Sequence, residues 1–307
     1  SLTVTTTGAV TATGAFGDGI QAFLNSATGT DLTVTTESTV TGKTQGIDVR
    51  NLGTGVIEVT ATGAVQGGSQ QGIFANNFNG GDVTISAASV SGGFAGINAE
   101  RTGGSGSGAV SVATTGDVSS TIEEGIRAYN TVSGTTMTIS AHNVYGAADG
   151  IYAKHLGSGA STITVTGTVT GGSNAGSAGI DTRTGSGGTT NVTLNSGASV
   201  SATSGNAIVN DDGNSTVNVN AGASVTGTIV LGAGSDALTF NGGNFSGVTS
   251  FDGGTGTDSL TFRSVTGTVA GGNVTGMESV VVDTGSDVTF TGTLTTGQLT
   301  ANNTGSG

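Results

Sequence analysis

The chain has 307 residues, of which 59 are glycine and none is proline, cysteine or tryptophan. Seven basic residues against twenty acidic ones give a net charge of −13, which excludes nucleic acid as a partner because phosphate neutralisation needs a basic surface. The lack of cysteine excludes disulfides and thiolate metal sites. No apolar run approaches the roughly 18 residues of a membrane-spanning helix, so direct membrane insertion is not expected.

A short Gly-Ile-x-small signature recurs along most of the chain, with alanine replacing its glycine in the last copy. Its isoleucines are Ile20, Ile47, Ile73, Ile97, Ile126, Ile151, Ile180 and Ile208. Successive isoleucines lie 24 to 29 residues apart, with a mean of about 27. A repeat of this length is typical of solenoids, in which each repeat forms one coil and buries its apolar side chains against its neighbours.

Two further alternating segments follow each signature. The first has Thr-Val-Thr character, as at 32–34, 57–59 and 83–85, and the second centres on one valine, as at Val40 and Val65. Period-two alternation of β-branched residues predicts strands. Three short strands per coil predict an all-β fold, a single right-handed parallel β-helix of about 11–12 coils. A β-sandwich is the alternative, but hairpin topology does not produce a constant three-strand repeat.

The spacing of the repeats changes near residue 229. Apolar segments at 229–231, 238–240, 260–262 and 280–282 recur at a spacing near 22 residues, and five of the ten phenylalanines lie in this part. We therefore predict a β-helix with coils of about 27 residues over 1–228. A continuing β-helix with shorter, phenylalanine-richer coils is predicted over 229–307.

The repeat style resembles that of a known family. Serial Gly-Ile-x-Ala coils with Thr-Val-Thr strands, followed by FDGGTGTDSLTF at 251–262, resemble the passenger region of bacterial autotransporters, the type V secretion proteins. The resemblance implies an extracellular or surface-displayed, adhesin-like passenger of a Gram-negative bacterium, exported through a C-terminal barrel. The absence of cysteine fits a passenger that crosses the outer membrane unfolded. The Gly-Asp-Ser-Gly-type signature of protease passengers does not occur in the chain.

The strand that contains each Gly-Ile signature carries most of the basic residues and tyrosines of the chain. Strand alternation points the first and third residues after each isoleucine outward. Five of the seven basic residues lie on this strand or one residue past it, Arg101 being the offset one, together with two of the three tyrosines. Tyrosine and arginine are favoured at binding surfaces, and stacked coils bring cations and rings within cation–π reach. The predicted binding face consists of Arg50, Arg127, Tyr129, Tyr152, Lys154 and Arg183. The alternative is a solvated ladder that only keeps the rod soluble.

One segment fits a calcium-binding repeat. Residues 253–261 match the nonapeptide G-G-x-G-x-D-x-U-x, and 232–238 form a weaker copy. The candidate ligands Asp236 and Asp258 are 22 residues apart, which is one coil and not the nine-residue repeat of calcium rolls. The sequence therefore favours a tight corner in which aspartate accepts backbone N–H bonds, and no metal or other cofactor is predicted.

The sequence shows no catalytic constellation. His142 and His155 are the only histidines, and neither has a serine or aspartate at a convincing register. The acidic pairs at 123–124 and 211–212 read as solvated turns rather than paired catalytic carboxylates. The near-constant coil length also leaves no insertions to wall a groove, so a carbohydrate-active β-helix enzyme is disfavoured and no enzymatic activity is predicted.

Two functions of different classes remain. The first is an adhesin or interaction rod, whose partner is a protein or glycan on a host or neighbouring cell. The second is a structural protein that self-associates into aggregates, biofilm, fibres or a surface layer, because flat Thr/Ser/Gly faces of low charge allow rods to pack side by side.

Overall fold

Parallel strands wind into one solenoid. The computed structural model describes residues 1–103, 106–185 and 187–302, so the last five residues of the predicted C-terminal segment lie outside the described residues. Within these ranges there is no α-helix, only a single 3-10 turn at Gly271–Asn273, and 29 strands form one sheet. No helix in the same ranges is long and apolar enough to span a membrane. The predicted all-β parallel solenoid is confirmed, with about 11 turns.

The first ladder contains the signature strands and forms what we call the Gly-Ile face. These strands are Ile20–Leu24, Ile47–Asn51, Ile73–Asn77, Ile97–Arg101, Ile126–Asn130, Ile151–His155, Ala178–Thr184, the second halves of Ser199–Asn210, Ser224–Val230 and Asn244–Asp252, and Val274–Thr275. The register pairs isoleucine with isoleucine from Ile20 to Ile229, and then continues through Phe251 and Val274. The repeated isoleucine therefore marks the register as the sequence predicts.

The second ladder contains the Thr-Val-Thr segments and forms the Thr-Val face. Its strands are Leu2–Thr6, Leu32–Thr36, Ile57–Gly67, Val83–Gly92, Gly108–Thr114, Gly134–Ala141, Ala160–Val165, Thr189–Leu194, Asn214–Asn220, Ala237–Asn241, Ser259–Arg263, Ser279–Val282 and Gln298–Ala301. Ile57–Gly67 and Val83–Gly92 also run on into the third ladder, so two predicted strands of a coil merge there into one.

The third ladder is made of short strands around the lone valines. Its separate strands are Val10–Thr11, Val40–Gly42, Asp117–Ser120, Asn143–Tyr145 and Thr168–Gly171, and the ladder continues through the first halves of Ser199–Asn210, Ser224–Val230 and Asn244–Asp252. Two small additional sheets pair Ala233–Gly234 with Thr255–Gly256, and Thr266–Ala270 with Asp287–Thr291. The strand Ser224–Val230 crosses position 228, so the sheet continues through this point.

The inward side chains of the three ladders fill one continuous core. The aligned isoleucines and the valines of the other ladders are almost completely buried. Since neighbouring strands lie about 4.8 Å apart, each inward side chain packs directly on its equivalent in the next coil. Buried asparagines at one corner bond to turn carbonyls, with Nδ2 of Asn51 donating to Thr30 O at 2.9 Å and Nδ2 of Asn77 donating to Gly55 O at 2.8 Å. These bonds satisfy backbone oxygens that would otherwise be buried without a partner.

Candidate binding face on the Gly-Ile strands

The register places the outward residues of the Gly-Ile face in two vertical columns. The first column is Gln21, Asp48, Phe74, Asn98, Arg127, Tyr152 and Asp181. The second column is Phe23, Arg50, Asn76, Glu100, Tyr129, Lys154 and Arg183. All six residues of the predicted binding face thus lie on one side of the rod, over six successive coils. Their role in binding stays a prediction.

Arg50 lies between two aromatic rings. Its guanidinium carbon is 5.1 Å from the ring centroid of Phe23 in the preceding coil and 4.9 Å from that of Phe74 in the following coil. A guanidinium over an aromatic face at this distance is attracted by the ring quadrupole. Strand alternation points both rings outward, yet the predicted face does not include them, although they flank the arginine in the neighbouring coils.

Tyr152 lies between two arginines in the same manner. The guanidinium carbon of Arg127 is 6.0 Å from its ring centroid, and that of Arg183 is 5.6 Å away. The ammonium of Lys154 lies 5.7 Å from the ring centroid of Tyr129. Burial raises the pKa of Tyr152, so its phenol stays neutral at ordinary pH. Five of the six predicted face residues are therefore brought together as interleaved rings and cations, whereas Arg50 lies three coils away between Phe23 and Phe74.

Each arginine of this part also faces carboxylates. Arg183 reaches Asp181 on its own strand, with NH2 3.2 Å from Oδ2, and Asp211 past the corresponding strand of the next coil, with NH1 3.1 Å from Oδ2. Asp181 is nearly fully buried by its neighbours, whereas Asp211 is exposed. The residue type alone gave no sign that an outward aspartate would be covered.

Arg127 holds its carboxylates more loosely. Its Nε is 3.9 Å from Glu100 Oε1, and its NH1 is 4.0 Å from Glu124 Oε1. Glu100 is bonded instead by the side-chain amides of Asn76 and Asn98, each at 3.0 Å. Because both Arg127 contacts exceed hydrogen-bond length, this guanidinium keeps donors free.

Carboxyl groups of the face have unusual acidities. Burial is the main cause that raises the pKa of Asp48, Glu124 and Asp181, against the opposing effect of nearby arginines. The pKa of Asp149 rises to about 6, mainly by burial and further by the charges of Asp181 and Glu124. The pKa values of Glu124, Asp149 and Asp181 are thus raised mainly by burial and further by neighbouring carboxylates.

Arg101 does not belong to the outer face. The register aligns it with Asn77 and Asn130, and its side chain is fully buried inside the corner. Its NH1 donates to Thr131 Oγ1 at 2.8 Å and Asn130 Oδ1 at 3.3 Å. The count of five basic residues on or beside this strand is correct by position, but only four of them face outward because the fourth residue after each isoleucine points inward.

The two aspartates of the calcium-like segment are buried corner residues. Asp236 Oδ1 accepts the backbone N–H of Ser215 at 2.5 Å, and Asp258 Oδ1 accepts that of Asp236 at 2.9 Å. The backbone N–H of Asp258 in turn donates to Glu278 Oε2 at 2.7 Å. Among the described residues, no three His, Asp or Glu side chains are arranged to hold a metal ion. Asp236 and Asp258 thus accept backbone N–H bonds at a corner, which is the arrangement that the sequence favours.

The histidines occupy different environments. His155 is fully buried at the inward corner position and burial lowers its pKa, so its ring is neutral at ordinary pH. His142 lies in the third-ladder region, with Nδ1 3.5 Å from Thr166 Oγ1. Among the described residues, neither histidine ring makes a hydrogen bond to a residue of the two outward columns.

A groove lies beside Arg50 at the corner of the first three coils. It has a volume of about 260 Å³. Its lining is Phe23, Leu24, Asn25, Arg50, Leu52 and Phe78. The sequence signal that could have located it is Leu24, the fourth residue after Ile20, because the later coils carry a polar residue at the aligned position: Asn51, Asn77, Arg101, Asn130 and His155.

The chain is a parallel β-solenoid with a cation- and aromatic-rich face. No family model, curated protein or solved structure matches it.

Proposed function

We propose that this chain is an interaction rod of the autotransporter-passenger type, secreted or displayed on the surface of a Gram-negative bacterium. Its Gly-Ile face binds a protein or glycan on a host or neighbouring cell, as an adhesin does. The proposal rests first on the resemblance of the coils to autotransporter passengers and second on the uneven distribution of side chains around the rod.

The segregation of side chains is the observation that carries the proposal. Rings and cations alternate along the Gly-Ile face, as in the stacks of Phe23, Arg50 and Phe74. One outward column of the Thr-Val face bears small side chains instead, and all but one of them carry a hydroxyl group. This column is Thr5, Thr35, Thr60, Ser86, Ala113, Ser140, Thr164 and Thr193. Aromatic and arginine side chains supply most binding energy at protein interfaces, so a binding role belongs on the Gly-Ile face.

A fourfold variant tests the proposal. Arg127, Tyr129, Tyr152 and Lys154 are replaced together by threonine, and adsorption of the purified chain to host and bacterial cells is measured with glycan and protein arrays in parallel. The expected result is loss of the adsorption shown by the unmodified chain, with an unchanged circular dichroism spectrum because all four side chains point outward.

The matched control changes four outward residues of the Thr-Val face. Thr35, Thr60, Thr164 and Thr193 are replaced by serine, which preserves the hydroxyl groups and should leave adsorption unaltered. Unchanged adsorption of the fourfold Gly-Ile variant, or equal loss in the control, contradicts the proposed binding face.

Self-association is the second candidate, and the uncharged outward column of the Thr-Val face from Thr5 to Thr193 favours it. A long column of threonine and serine side chains offers hydroxyl groups to an identical rod without like-charge repulsion. Small-angle scattering over a concentration series, with and without EDTA, separates the two functions. Particle size that grows with concentration supports self-association, whereas a rod of constant size supports an adhesin. Loss of compactness in EDTA would indicate that Asp236 and Asp258 are metal ligands.

A further inference from the structure

One groove on the rod combines an apolar lining with a single charged group. It lies at the corner of the first three coils and has a volume of about 260 Å³. We call it the Arg50 groove, and its lining consists of Phe23, Leu24, Asn25, Arg50, Leu52 and Phe78. Among the residues that the structure describes, no acidic side chain belongs to this lining. An apolar depression on a surface that is otherwise rich in hydroxyl groups is a candidate ligand site.

The apolar lining departs from the repeat. Leu24 occupies the inward corner position that Asn51 takes in the next coil, where the asparagine amide bonds to turn carbonyls. Leu52 and Phe78 directly follow the corner residues of coils two and three, whereas threonine follows those of coils four and five. The same corner forms with polar residues in coils four and five, so coil formation does not require these apolar side chains.

Arg50 brings unbonded donors to the groove. Its Nε and NH2 are both bonded to Asp48, at 2.9 and 3.0 Å. Its NH1 makes no hydrogen bond among the described residues and is not one of their buried unpartnered atoms, and the side chain as a whole is 41% exposed. Because a guanidinium carries five N–H donors, the edge that includes NH1 can bind a second acceptor.

Arg183 shows which acceptor fits such an edge. Its NH2 lies 3.2 Å from Oδ2 of Asp181, two residues earlier on the same strand. Its NH1 lies 3.1 Å from Oδ2 of Asp211 in the next coil. A guanidinium on this side of the rod can therefore hold two carboxylates at once, one from its own strand and one from outside it.

The second carboxylate is missing at Arg50. The residue aligned with it in the next coil is Asn76, which is uncharged. The Asn76 side chain is also engaged elsewhere, with Nδ2 donating to Glu100 Oε2 at 3.0 Å and Oδ1 accepting from Thr102 Oγ1 at 2.8 Å. A carboxylate supplied by a ligand would take the place at Arg50 that Asp211 takes at Arg183.

Other classes of small ligand match the lining less well. A sugar presents hydroxyl groups around its ring, but only Asn25 and Arg50 in the lining have polar side chains to bond them. A cation finds no carboxylate there, since Asp48 is nearly fully buried and paired with Arg50. The volume lies below the roughly 300–1,000 Å³ of pockets for drug-sized ligands, so the ligand is small.

We infer that the Arg50 groove binds an aliphatic monocarboxylate of the medium-chain fatty-acid class. The carboxylate accepts hydrogen bonds from the free edge of Arg50, and the tail lies against Phe23, Leu24 and Leu52. Charge-assisted hydrogen bonds of this kind are about twice as strong as neutral ones, and burial of the tail adds the hydrophobic contribution. This site goes beyond the proposed function, because it requires neither a cell surface nor a partner protein.

The probe is sodium octanoate, titrated into the full chain at neutral pH and followed by NMR of the backbone amides. Octanol, octylamine and acetate are titrated for comparison, and affinity is read from the amides at 23–25, 50–52 and 78. We expect octanoate to bind at least about tenfold more tightly than each of the other three. Octylamine or octanol binding as tightly at these amides overturns the assignment, as does an octanoate response confined to another part of the rod.

A matched pair of variants tests the apolar wall. Leu52→Thr introduces the residue that coils four and five carry at this place, and Leu156→Thr makes the same change in coil six, away from the groove. We expect at least about fivefold loss of octanoate affinity in Leu52→Thr and little change in Leu156→Thr. Circular dichroism checks that both variants are folded. Equal affinities in the two variants contradict the inference.

A second variant tests the charged group. Asp48→Asn/Arg50→Met removes the cation together with its buried partner, so that no unpaired charge is left behind. We expect octanoate affinity to fall to that of octanol, whose own binding should persist because the apolar wall is intact. Octanoate binding that is unchanged in this variant overturns the assignment. Neither measurement involves cell adsorption, so a failure of the proposed function leaves this site standing.

Discussion

Arg50 holds Asp48 in a two-pronged ion pair. Its Nε is 2.9 Å from Asp48 Oδ1 and its NH2 is 3.0 Å from Asp48 Oδ2. Asp48 is only 1% exposed although it lies on the outer side of the coil, because the arginine side chain and its aromatic neighbours cover it. A residue predicted from sequence as part of a binding surface is therefore also needed to neutralise a buried charge.

The Arg50–Asp48 pair should be costly to break from one side. Arg50→Met leaves Asp48 desolvated without its cation, and we expect a loss of about 1–3 kcal/mol in the free energy of unfolding, less than for a wholly buried pair because Arg50 is partly exposed. The double variant Asp48→Asn/Arg50→Met should recover most of this loss. Urea denaturation of the four proteins in a double-mutant cycle measures the coupling.

Arg263 supplies the comparison for that cycle. It pairs with Asp283 at 2.9 Å between Nε and Oδ2, but the arginine is 53% and the aspartate 22% exposed. Arg263→Met should therefore lower the free energy of unfolding much less than Arg50→Met does. Equal costs at Arg50 and Arg263 would show that covering Asp48 does not matter for stability.

The sequence predicted the ladders well because their determinants repeat. An isoleucine at a nearly constant interval can only stack on its equivalents, so the register of the Gly-Ile face and its two outward columns follow from spacing and alternation. What repetition cannot show is how much each outward side chain covers its neighbour. The burial of Asp48 and Asp181 depends on the particular arginine two residues later, and that pairing differs from coil to coil.

The interior position of Arg101 shows the same limit. Alternation points the fourth residue after isoleucine inward, but a charged residue there conflicts with the rule that charges stay outside. The corner resolves the conflict by supplying hydroxyl and carbonyl acceptors, such as Thr131 Oγ1 and Gly80 O. These acceptors come from turns in neighbouring coils, which a pattern of strands does not locate.

The C-terminal coils depend on a cluster of phenylalanines. The Phe262 ring is fully buried and contacts Phe240 in a stacked arrangement at 6.0 Å and Phe245 at 4.9 Å between centroids. Phe262→Ala should cost about 3–5 kcal/mol through lost burial and a residual cavity. Since coils of a solenoid contact only their neighbours, amide exchange should accelerate first in Ala237–Asn241 and Ser259–Arg263.

Phe16 is the control for that substitution. It is 89% exposed, so Phe16→Ala should leave the unfolding free energy within about 0.5 kcal/mol. A uniform rise in exchange along the whole rod in Phe262→Ala would contradict local destabilisation and would indicate that the coils unfold as one unit.

Asp258 should make the C-terminal coils more stable in mild acid. Its pKa is raised by burial, and further by Asp236 and Glu278, to about 6, so the folded chain binds this proton more tightly than the unfolded chain does. The stabilisation is full below the ordinary value of 3.8 and is lost as the pH rises through about 6, by about 2–3 kcal/mol in all.

Amide exchange in Ser259–Arg263 measures this dependence between about pH 5 and 7.5, after correction for the intrinsic exchange rate. Protection should fall across the window in the unmodified chain and stay level in Asp258→Asn, which keeps an oxygen to accept the Asp236 N–H. The exposed Asp287→Asn serves as the control and should retain the fall. A level profile in the unmodified chain would mean that Asp258 keeps one protonation state across this window, which contradicts a pKa of about 6.

The signature glycine is required by close packing rather than by its backbone angles. Its copies adopt ordinary negative φ values, whereas positive φ occurs at other glycines such as Gly80 and Gly176. A Cβ on Gly150 would lie 2.6 Å from Gly179 O and 2.7 Å from Val169 Cγ1, closer than real contacts allow. Gly150→Ala should therefore destabilise the coil by about 1–3 kcal/mol, the usual cost of overpacking.

Gly8→Ala is the matched substitution, because a Cβ there meets no atom within 4 Å and its φ is not positive. It should be neutral or stabilise the chain by up to about 1 kcal/mol, since alanine restricts the unfolded state. Thermal unfolding of both variants, with exchange read in Ile126–Asn130 and Ile151–His155, makes the comparison. If Gly150→Ala is as stable as Gly8→Ala, the signature glycine is not required by packing, and its recurrence needs another cause.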